Sequence, residues 1–254
     1  MRVNYDLIAH LYDSGPHRQK EVDPHLLAYL AAQGETAVMP RILDLGCGTG
    51  NQLIANQAHR PKAYFVGLDL FAGMLRQAQA KSETIHWLQG TNAALPFTAA
   101  SFDYISNQFS FHHVQDKVGM LKEVYRVLRG NGRFVMQNIA PHKMAGWIYY
   151  HYFPAAQALD FAHYLTVGEL QSLLQEIGFV NIQLEYNHFH YEQDLVQFLA
   201  LAQDRVAASQ LIAIADADYE RGLAQLAADV AHNPPITTFN SETCLITLGA
   251  DKHA

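Results

Sequence analysis

Three glycines at alternate positions, with an acid on each side, form the group of residues in this chain best suited to holding a ligand. Asp44 lies in an apolar stretch, Gly46, Gly48 and Gly50 follow it, and Asp69 ends the next apolar stretch. Glycine lets the backbone approach a ligand where a Cβ atom would clash. An acid at the tip of a second strand can accept both hydroxyl groups of a ribose. The spacing therefore predicts a nucleoside site.

The glycine spacing also distinguishes between kinds of nucleoside. The dinucleotide fingerprint is G-x-G-x-x-G, in which the third glycine packs the helix on the strand. Here the order is Gly46-x-Gly48-x-Gly50, and Asp44 stands inside the strand end. The run from Asp44 to Gly50, with Asp69 in place, resembles motif I of class I S-adenosylmethionine (SAM) dependent methyltransferases.

Three further segments resemble the small-molecule branch of these enzymes, the group that includes the ubiquinone and menaquinone C-methyltransferases. They are LPFTAASFDYI at 95–105, HHVQDKVGMLKEVYRVLRGNGRFVM at 112–136 and TVGELQSLLQEIGF at 166–179. The resemblance spans the core of the fold. It implies a Rossmann-like α/β architecture, with a seven-stranded, mostly parallel sheet, helices on both faces and a helical, aromatic-rich cap.

The resemblance implies SAM as the methyl donor and S-adenosylhomocysteine as the product. The backbone at 46–48 would line the methionine part of the cofactor, and Asp44 would orient that loop. Asp69 would take the ribose hydroxyls. Leu70 and Met74 would pack on the adenine, although Met74 could equally be ordinary helix core. The full predicted cofactor-binding set is Asp44, Gly46, Cys47, Gly48, Gly50, Asp69, Leu70, Met74, Thr91, Asn92, Ala93, Asn107 and Gln108.

One position departs from the family pattern. Relatives usually carry glycine-aspartate-alanine before the Leu95-Pro96-Phe97 segment, and that acid accepts the adenine amino group. This chain has Gly90-Thr91-Asn92-Ala93. Thr91 or Asn92 can still accept a hydrogen bond, but as a neutral group, which would weaken cofactor binding by about 1 kcal/mol.

The loop after the fourth strand is expected to face the transferred methyl group. It reads Ser106 to His113 and lacks the (N/D)PP(Y/F) tetrad of enzymes that methylate amino groups of nucleic acid bases. His113 could serve as a general base, since imidazole exchanges protons near neutral pH. The alternative is that His113 packs beneath the loop in a structural role. His112, beside it, is predicted to contact the acceptor.

Two other regions offer acceptor contacts. The N-terminal arm, with its repeated tyrosine-aspartate pairs, resembles the arm that covers the cofactor in relatives. Its Tyr12 is the best candidate for a residue that contacts both the cofactor and the methyl acceptor, and it is a second catalytic candidate. The alternative is that Tyr12 only packs the arm on the core. The aromatic segment 142–164 lies where relatives place a substrate cap. There Trp147 and Tyr150 are predicted acceptor contacts, with a dimer contact or simple cap core as the alternatives.

Strand and helix patterns alternate through the first two thirds of the chain, which predicts a parallel sheet with ligands at the carboxyl ends of its strands. Expected strands are 41–45, 63–68, 84–89, 102–107, 133–139, 180–187 and 242–248, and expected helices are 22–33, 51–58, 71–81, 115–129 and 166–177. We predict one domain, 1–254, with an N-terminal arm (1–35), a cap insertion (142–164) and a helical insertion (192–230).

Bulk properties exclude several classes of protein. The net charge is −7 without a basic stripe, which disfavours binding to a nucleic acid backbone. No apolar run has the length of a membrane span. The two cysteines and 14 histidines show no metal-ligand spacing, so no metal is expected. We expect a cytoplasmic monomer or homodimer with a small-molecule acceptor as its partner.

These observations predict a SAM-dependent methyltransferase that acts on oxygen or carbon, less favourably nitrogen, of a small apolar or aromatic molecule. Methyl transfer is a displacement on an already activated sulfonium, so the motifs identify the donor and say little about the acceptor. Two alternatives remain open at this point. One is another SAM-consuming reaction on the same fold, such as cyclopropane synthesis, and the other is a non-catalytic SAM-binding subunit that serves a partner protein.

Overall fold

The computed structural model describes residues 4–14, 18–34, 39–232 and 236–254. A seven-stranded sheet has the order β3-β2-β1-β4-β5-β7-β6. Its strands are β1 (Arg41–Leu45), β2 (Tyr64–Asp69), β3 (His86–Gln89), β4 (Phe102–Gln108), β5 (Leu128–Ile139), β6 (Phe179–Asp194) and β7 (Thr238–Lys252). The predicted α/β fold with a mostly parallel seven-stranded sheet is therefore confirmed.

Ten α-helices lie among the described residues. They are α1 (Pro24–Ala32), α2 (Asn51–His59), α3 (Ala72–Lys81), α4 (Lys117–Val127), α5 (Ile148–Tyr152), α6 (Pro154–His163), α7 (Val167–Ile177), α8 (Leu195–Ala202), α9 (Ser209–Ala213) and α10 (Asp216–Ala231). None of these helices combines the length and apolarity that crossing a lipid bilayer would require.

The chain groups into two compact units. We call residues 4–138, 168–185 and 247–254 the sheet unit, and residues 139–167 and 186–246 the cap unit. Strands β5, β6 and β7 have residues in both ranges. That the chain is a single domain with a cap insertion and a helical insertion stays a prediction.

Parallel register in the sheet unit brings the ends of three strands to one edge. Asp44 of β1 pairs with Gly67 of β2 on one side and with Ser106 of β4 on the other. Both neighbours run parallel to β1, so their carboxyl ends follow immediately at the same edge. The glycine loop, Asp69 and the loop after β4 therefore all begin within a short distance of each other.

The core of the sheet unit explains why β1 and α1 are fixed in place. Leu26 and Leu30 of α1 pack with Ile42 of β1 and with Tyr104 of β4 in one buried cluster. The Asp23 side chain caps α1 by accepting the His25 N–H, and it also accepts the buried Tyr104 hydroxyl at 2.7 Å. Helix α1 is thereby joined to the middle of the sheet.

Three strands differ from their expected bounds by four residues or more at one end. β5 begins at Leu128 rather than at 133, because the expected Arg129–Gly132 turn is absorbed by a register irregularity against β4 and by a positive φ of 62° at Asn131. β6 continues to Asp194, and β7 covers Thr238–Lys252. Most of β6 is exposed, so it lacks the apolar alternation by which a strand is recognised in a sequence.

The cap unit has its own aromatic core. Phe153 and Phe198 are fully buried, and Phe153 stacks on Tyr219 of α10 with ring centroids 6.1 Å apart. Gly222 of α10 lies where any Cβ atom would overlap the Phe153 ring. The close approach of α10 to this ring therefore depends on a residue without a side chain.

Candidate functional site

The glycine loop between β1 and α2 has no room for side chains at two of its positions. Gly46 has a φ of 72°, and a Cβ atom there would overlap the Ser110 side chain. Gly50 has a φ of 79° and precedes the first residue of α2. A Cβ atom at Gly50 would overlap the Trp87 ring of β3 and would lie 3.1 Å from the Ala78 Cβ. The third glycine therefore packs the loop against β3 and α3.

Most of the loop's N–H groups are already used within the chain. Those of Gly46 and Cys47 donate to the Leu68 carbonyl at 2.7 and 3.1 Å. Gly48 donates to Asp69 Oδ2 at 2.8 Å, and Gly50 donates to the Cys47 carbonyl at 3.0 Å. These bonds fasten the loop to the end of β2. They also mean that these four N–H groups do not serve as donors to a ligand anion.

Asp69 lies where the sequence predicts the ribose site. Its carboxyl group is 8% exposed and accepts N–H bonds from Gly48 and from Phe71, the latter at 2.9 Å. Burial raises its pKa, and the backbone N–H bonds from Phe71, Gly48 and Leu70 oppose that rise. A carboxylate can accept about four hydrogen bonds. Capacity for a ribose hydroxyl is therefore left, so Asp69 fits a nucleoside.

Asp44 is a second buried acid beside the loop. It is 3% exposed, and Ser106 Oγ donates to its Oδ1 at 2.8 Å. Burial raises the pKa of Asp44 to about 7, although the Ser106 hydrogen bond opposes the rise. Nearby, Asn107 Oδ1 is a buried acceptor that finds no donor among the described residues. A buried acid and a vacant acceptor suit a ligand that brings a cationic donor, such as the cofactor's ammonium group.

The predicted adenine contacts lie directly after β2, on α3 and on the turn after β3. Met74 is buried at 3% exposure, and Leu70 is half-buried at the end of β2. Thr91 is exposed, and its Oγ1 accepts the Ala93 N–H at 3.4 Å, while Asn92 is half-buried. The turn thus presents neutral oxygens where relatives carry an acid.

The N-terminal arm is attached to the glycine loop by one aspartate. Asp13 accepts from Thr49 Oγ1 at 2.7 Å and Asn51 Nδ2 at 2.9 Å, and it pairs with Lys81 Nζ at 2.5 Å. Burial raises the pKa of Asp13, but the hydrogen bonds from Lys81, Thr49 and Asn51 outweigh burial and lower it overall. The tyrosine-aspartate repeat was the sequence signal for this contact, whereas nothing in the sequence indicated Lys81.

Tyr12 lies against the loop and beside a cation. The Arg18 guanidinium carbon is 3.8 Å from the centroid of its ring. A Cβ atom at Gly48 would come within 4.0 Å of Tyr12 and 3.7 Å of Met74, so both side chains border the open side of this glycine. Burial raises the pKa of the Tyr12 hydroxyl, with the Asp69 charge contributing. Tyr12 thus adjoins the predicted cofactor site, and its contact with an acceptor stays a prediction.

The loop after β4 carries the predicted base. Asn107 Nδ2 donates to the Leu45 carbonyl at 2.7 Å and to Ser110 Oγ, which ties this loop to the glycine loop. His113 Nε2 lies 2.9 Å from the hydroxyl of Tyr5 in the arm. The His112 ring lies 3.8 Å from the His113 ring, centroid to centroid. Gln108, the last residue of β4, is half-buried.

The cap aromatics mostly contact each other within the cap unit. The Trp147 ring lies 4.6 Å from Tyr149 and 5.0 Å from Tyr150, centroid to centroid. Tyr150 is 4% exposed, and its hydroxyl donates to Asp160 Oδ2 at 2.8 Å. The predicted acceptor contacts of Trp147 and Tyr150 therefore stay predictions.

Known proteins provide an independent comparison. Residues 43–136 match the family described as a methyltransferase domain. The demethylmenaquinone methyltransferase of Lactiplantibacillus plantarum is 28% identical over 213 residues, which cover 73% of this chain and 87% of that protein. The demethylmenaquinone methyltransferase of Lactobacillus johnsonii is 32% identical, over 55% of this chain and 68% of its own length.

A solved structure agrees in fold. The Haemonchus contortus phosphoethanolamine N-methyltransferase 2, in complex with phosphomonomethylethanolamine and S-adenosylhomocysteine, superposes with a TM-score of 0.59 at 18% identity, over 98% of this chain and 58% of that chain. One family assignment follows from the strand order, the buried acids at the ends of β1 and β2, and the relatives. The chain belongs to the class I SAM-dependent methyltransferases, and it is an enzyme of their small-molecule branch that resembles the ubiquinone and menaquinone C-methyltransferase group.

Proposed function

We propose that this enzyme methylates carbon or oxygen of a small apolar or aromatic acceptor that carries an acidic hydroxyl, such as a phenol or a quinol. The relatives named above act, by their names, on demethylmenaquinone. The loop after β4 reads Asn107-Gln108-Phe109-Ser110 and offers no proline pair to stack a nucleic acid base. Nitrogen acceptors are correspondingly less favoured.

The observation that carries this proposal is the pair formed by Tyr5 and His113. The Tyr5 hydroxyl lies 2.9 Å from His113 Nε2, at the carboxyl edge of the sheet where β4 ends. The Tyr5 ring is held edge-on by Phe71, with centroids 5.5 Å apart. A hydroxyl that donates to an imidazole can pass a proton to it, and imidazole accepts protons near neutral pH.

The pair would remove the proton that limits the reactivity of a phenol. The bound cofactor supplies an electrophilic methyl group on a sulfonium. The acceptor hydroxyl gives its proton to Tyr5 Oη as the Tyr5 proton moves to His113 Nε2. The deprotonated oxygen, or the ring carbon that it activates, would then be the nucleophile for the methyl group that the cofactor supplies. The acceptor's hydroxyl proton would end on the imidazole, which becomes cationic. For a carbon acceptor, the ring carbon would afterwards lose its hydrogen as a proton and the oxygen would regain one, which restores the aromatic ring.

The other predicted acceptor contacts belong to the same proposal. Tyr12 borders the glycine loop, and His112 lies beside His113. Trp147 and Tyr150 would supply apolar surface to an aromatic ring. We further infer a cytoplasmic monomer or homodimer with no nucleic acid partner, in line with the composition and the charge of −7.

The test is turnover of a panel of phenols, quinols and carboxylates, followed by formation of S-adenosylhomocysteine. We expect a phenol or quinol to be methylated, and His113→Ala to lower kcat by roughly 100-fold, as is typical for a lost general base. Tyr5→Phe should lower kcat similarly. His59→Ala is the matched control, because His59 is exposed on α2 and contacts only its own helix backbone.

Two measurements separate catalysis from arm docking. If His113 is the base, the Kd of S-adenosylhomocysteine should change by less than about threefold in His113→Ala, because the site at β1 and β2 is untouched. A variant that keeps full turnover would rule out His113 as the base. A variant that loses turnover only through weaker cofactor binding would assign it to attachment of the arm.

A further inference from the structure

Strand β6 gives the sheet one long open edge. It stands at the end of the strand order, and β7 is its only strand neighbour among the described residues. It is 16 residues long, whereas β3, at the other end of the order, has four residues. A very short edge strand is one of the ways in which proteins prevent pairing between sheet edges. The β3 edge has this protection, and the β6 edge lacks it.

The part of β6 that belongs to the cap unit, residues 186–194, is open on both faces as well. Successive side chains of a strand point to opposite faces, yet every residue from 186 to 192 is exposed. Three of them are large aromatic residues, Tyr186, Phe189 and Tyr191, with exposed fractions of 37, 48 and 39%. Aromatic surface along an open strand edge favours pairing with another strand.

Other features that protect a strand edge are also missing from β6. Its sequence contains neither lysine nor proline. Its contacts with β7 in the cap unit are regular, since His188 Nε2 lies 3.6 Å from Cys244 Sγ and His190 Nδ1 lies 4.0 Å from Glu242 Oε2. Two residues forward along β6 thus correspond to two residues back along β7, as in an antiparallel ladder without a bulge. A regular edge of this kind can accept a further strand on its outer side.

The segment is complementary to a second copy of itself. In a two-fold antiparallel pair, residues equally distant from the symmetry axis face each other. With the axis at His190, Phe189 faces Tyr191 of the second copy, and His188 faces Glu192 of the second copy. Aromatic pairs and pairs of opposite charge are those that stabilise neighbouring strands. An axis at Phe189 would instead place His188 opposite His190, and both favourable pairs would be lost.

We propose that this enzyme forms a homodimer in which residues 186–194 of two copies pair antiparallel about His190. The pairing continues the sheet from one copy into the next. It satisfies the backbone N–H and C=O groups that point away from β7, and it covers the exposed aromatic side chains. The proposal concerns assembly alone, so it does not depend on the acceptor or on methyl transfer.

Sedimentation equilibrium of the whole chain over a range of protein concentrations tests the dimer. We expect the wild type to approach twice the mass of one chain as the concentration rises. Phe189→Lys should stay a single chain throughout, because a lysine in the middle of an edge strand opposes pairing. Leu201→Lys is the matched control, since Leu201 on α8 has the same exposed fraction as Phe189, 48%, and it should dimerise like the wild type.

A charge exchange tests the register of the pairing. Glu192→Lys replaces the carboxylate opposite His188 by a cation and should weaken dimerisation roughly tenfold. The double variant His188→Glu with Glu192→Lys restores opposite charges across the two-fold axis and should regain most of that loss. Circular dichroism checks that each variant is folded, and Glu192→Lys provides a second disruption of the dimer if Phe189→Lys is not.

Three results would overturn the proposal. One is a wild type that stays a single chain at every concentration, which would leave the edge to a strand of a different protein. Another is a Phe189→Lys variant that dimerises as well as Leu201→Lys, which would place the dimer contact elsewhere on the molecule. The third is a double variant that dimerises no better than Glu192→Lys, which would contradict pairing about His190.

Discussion

The edge of the sheet unit at β1 and β2 and the interior of the cap unit use buried polar groups in opposite ways. At the edge, Asp44 and Asp69 accept from one hydroxyl and from backbone N–H groups, and acceptor capacity is left over. In the cap, Asp160 accepts from Tyr150 and from Gln210, at 2.8 and 3.3 Å. The first arrangement lies beside Asn107 Oδ1, a buried acceptor without a donor among the described residues, whereas the second pairs side chains of three helices with each other.

The difference between the two regions indicates where a bound ligand is expected. An acid that is buried with unused acceptor capacity costs stability unless a ligand supplies the missing donors. An acid that is buried with tyrosine and glutamine partners is a packing element that contributes to the stability of its own unit. The comparison therefore predicts that changes at the sheet edge alter ligand binding, while changes at the cap acid alter stability.

The largest effect is expected where the glycine loop packs against β3. Gly50→Ala should destabilise the protein by about 3 kcal/mol, because it combines a positive φ with overlap of the new Cβ and Trp87. Gly34→Ala is the matched control, since Gly34 has a φ of 73° and no atom within 4 Å of the added Cβ. It should cost about 1 kcal/mol. Urea unfolding measures both, and equal losses would show that Trp87 packing is unimportant.

Asp44 should favour cofactor binding but lower the stability of the folded protein. Its pKa of about 7 in the folded protein is above the ordinary value of 3.8, so its contribution to stability is present below pH 3.8 and is lost as pH rises through 7. Asp44→Asn removes that loss and should stabilise the protein by on the order of 2 kcal/mol at pH 8, with little gain near pH 4. The same variant should bind S-adenosylhomocysteine more weakly.

Unfolding of Asp44→Asn at several pH values checks this expectation. Glu83→Gln serves as the control, because Glu83 is an acid with an exposed side chain. A stability gain in Asp44→Asn that does not depend on pH would mean that ionisation of Asp44 is not its cause. Unchanged cofactor binding would show that Asp44 does not contribute to the cofactor site.

Loss of the Tyr150 hydroxyl should lower stability and leave cofactor binding unchanged. Tyr150→Phe leaves the Asp160 carboxyl buried with only Gln210, which should cost about 1–2 kcal/mol and lower Tm by several degrees. Tyr152→Phe is the matched control, because its partner Asp229 is half-buried and can turn to water, so the cost should be smaller. Weaker binding of S-adenosylhomocysteine to Tyr150→Phe would show that the pairing of Tyr150 with Asp160 also contributes to cofactor binding.

The smallest effect concerns the adenine end of the sheet edge. Thr91→Asp should tighten S-adenosylhomocysteine binding by about 1 kcal/mol, because a charged acceptor replaces a neutral one. Thr91→Asn isolates the charge, since it offers a neutral oxygen of similar reach. Calorimetry distinguishes the two, and equal affinities would show that the adenine amino group is not read at this position.

Much of the sheet edge could be predicted because its determinants are local. The bounds of β1 agree with the expected 41–45, and α2 and α3 differ by only one residue at an end. The glycines and Asp69 follow a motif whose parts are close in the sequence. The cap could be predicted only as an aromatic region, because the pairing of Tyr150 with Asp160 and Gln210 depends on how three helices pack.

By itself, the sequence determined the fold class and the cofactor, because alternating strands and helices force the strand ends to one edge and glycine spacing limits what can lie there. The positions that surround the cofactor stay a prediction. Only the tertiary structure decided which groups still have capacity for a ligand. The N–H groups of Gly46, Cys47 and Gly48 proved to be used by Leu68 and Asp69, and Asn107 Oδ1 proved to be a buried acceptor without a donor among the described residues. Hydrogen-bond saturation depends on distances between residues far apart in the chain, and no local pattern encodes it.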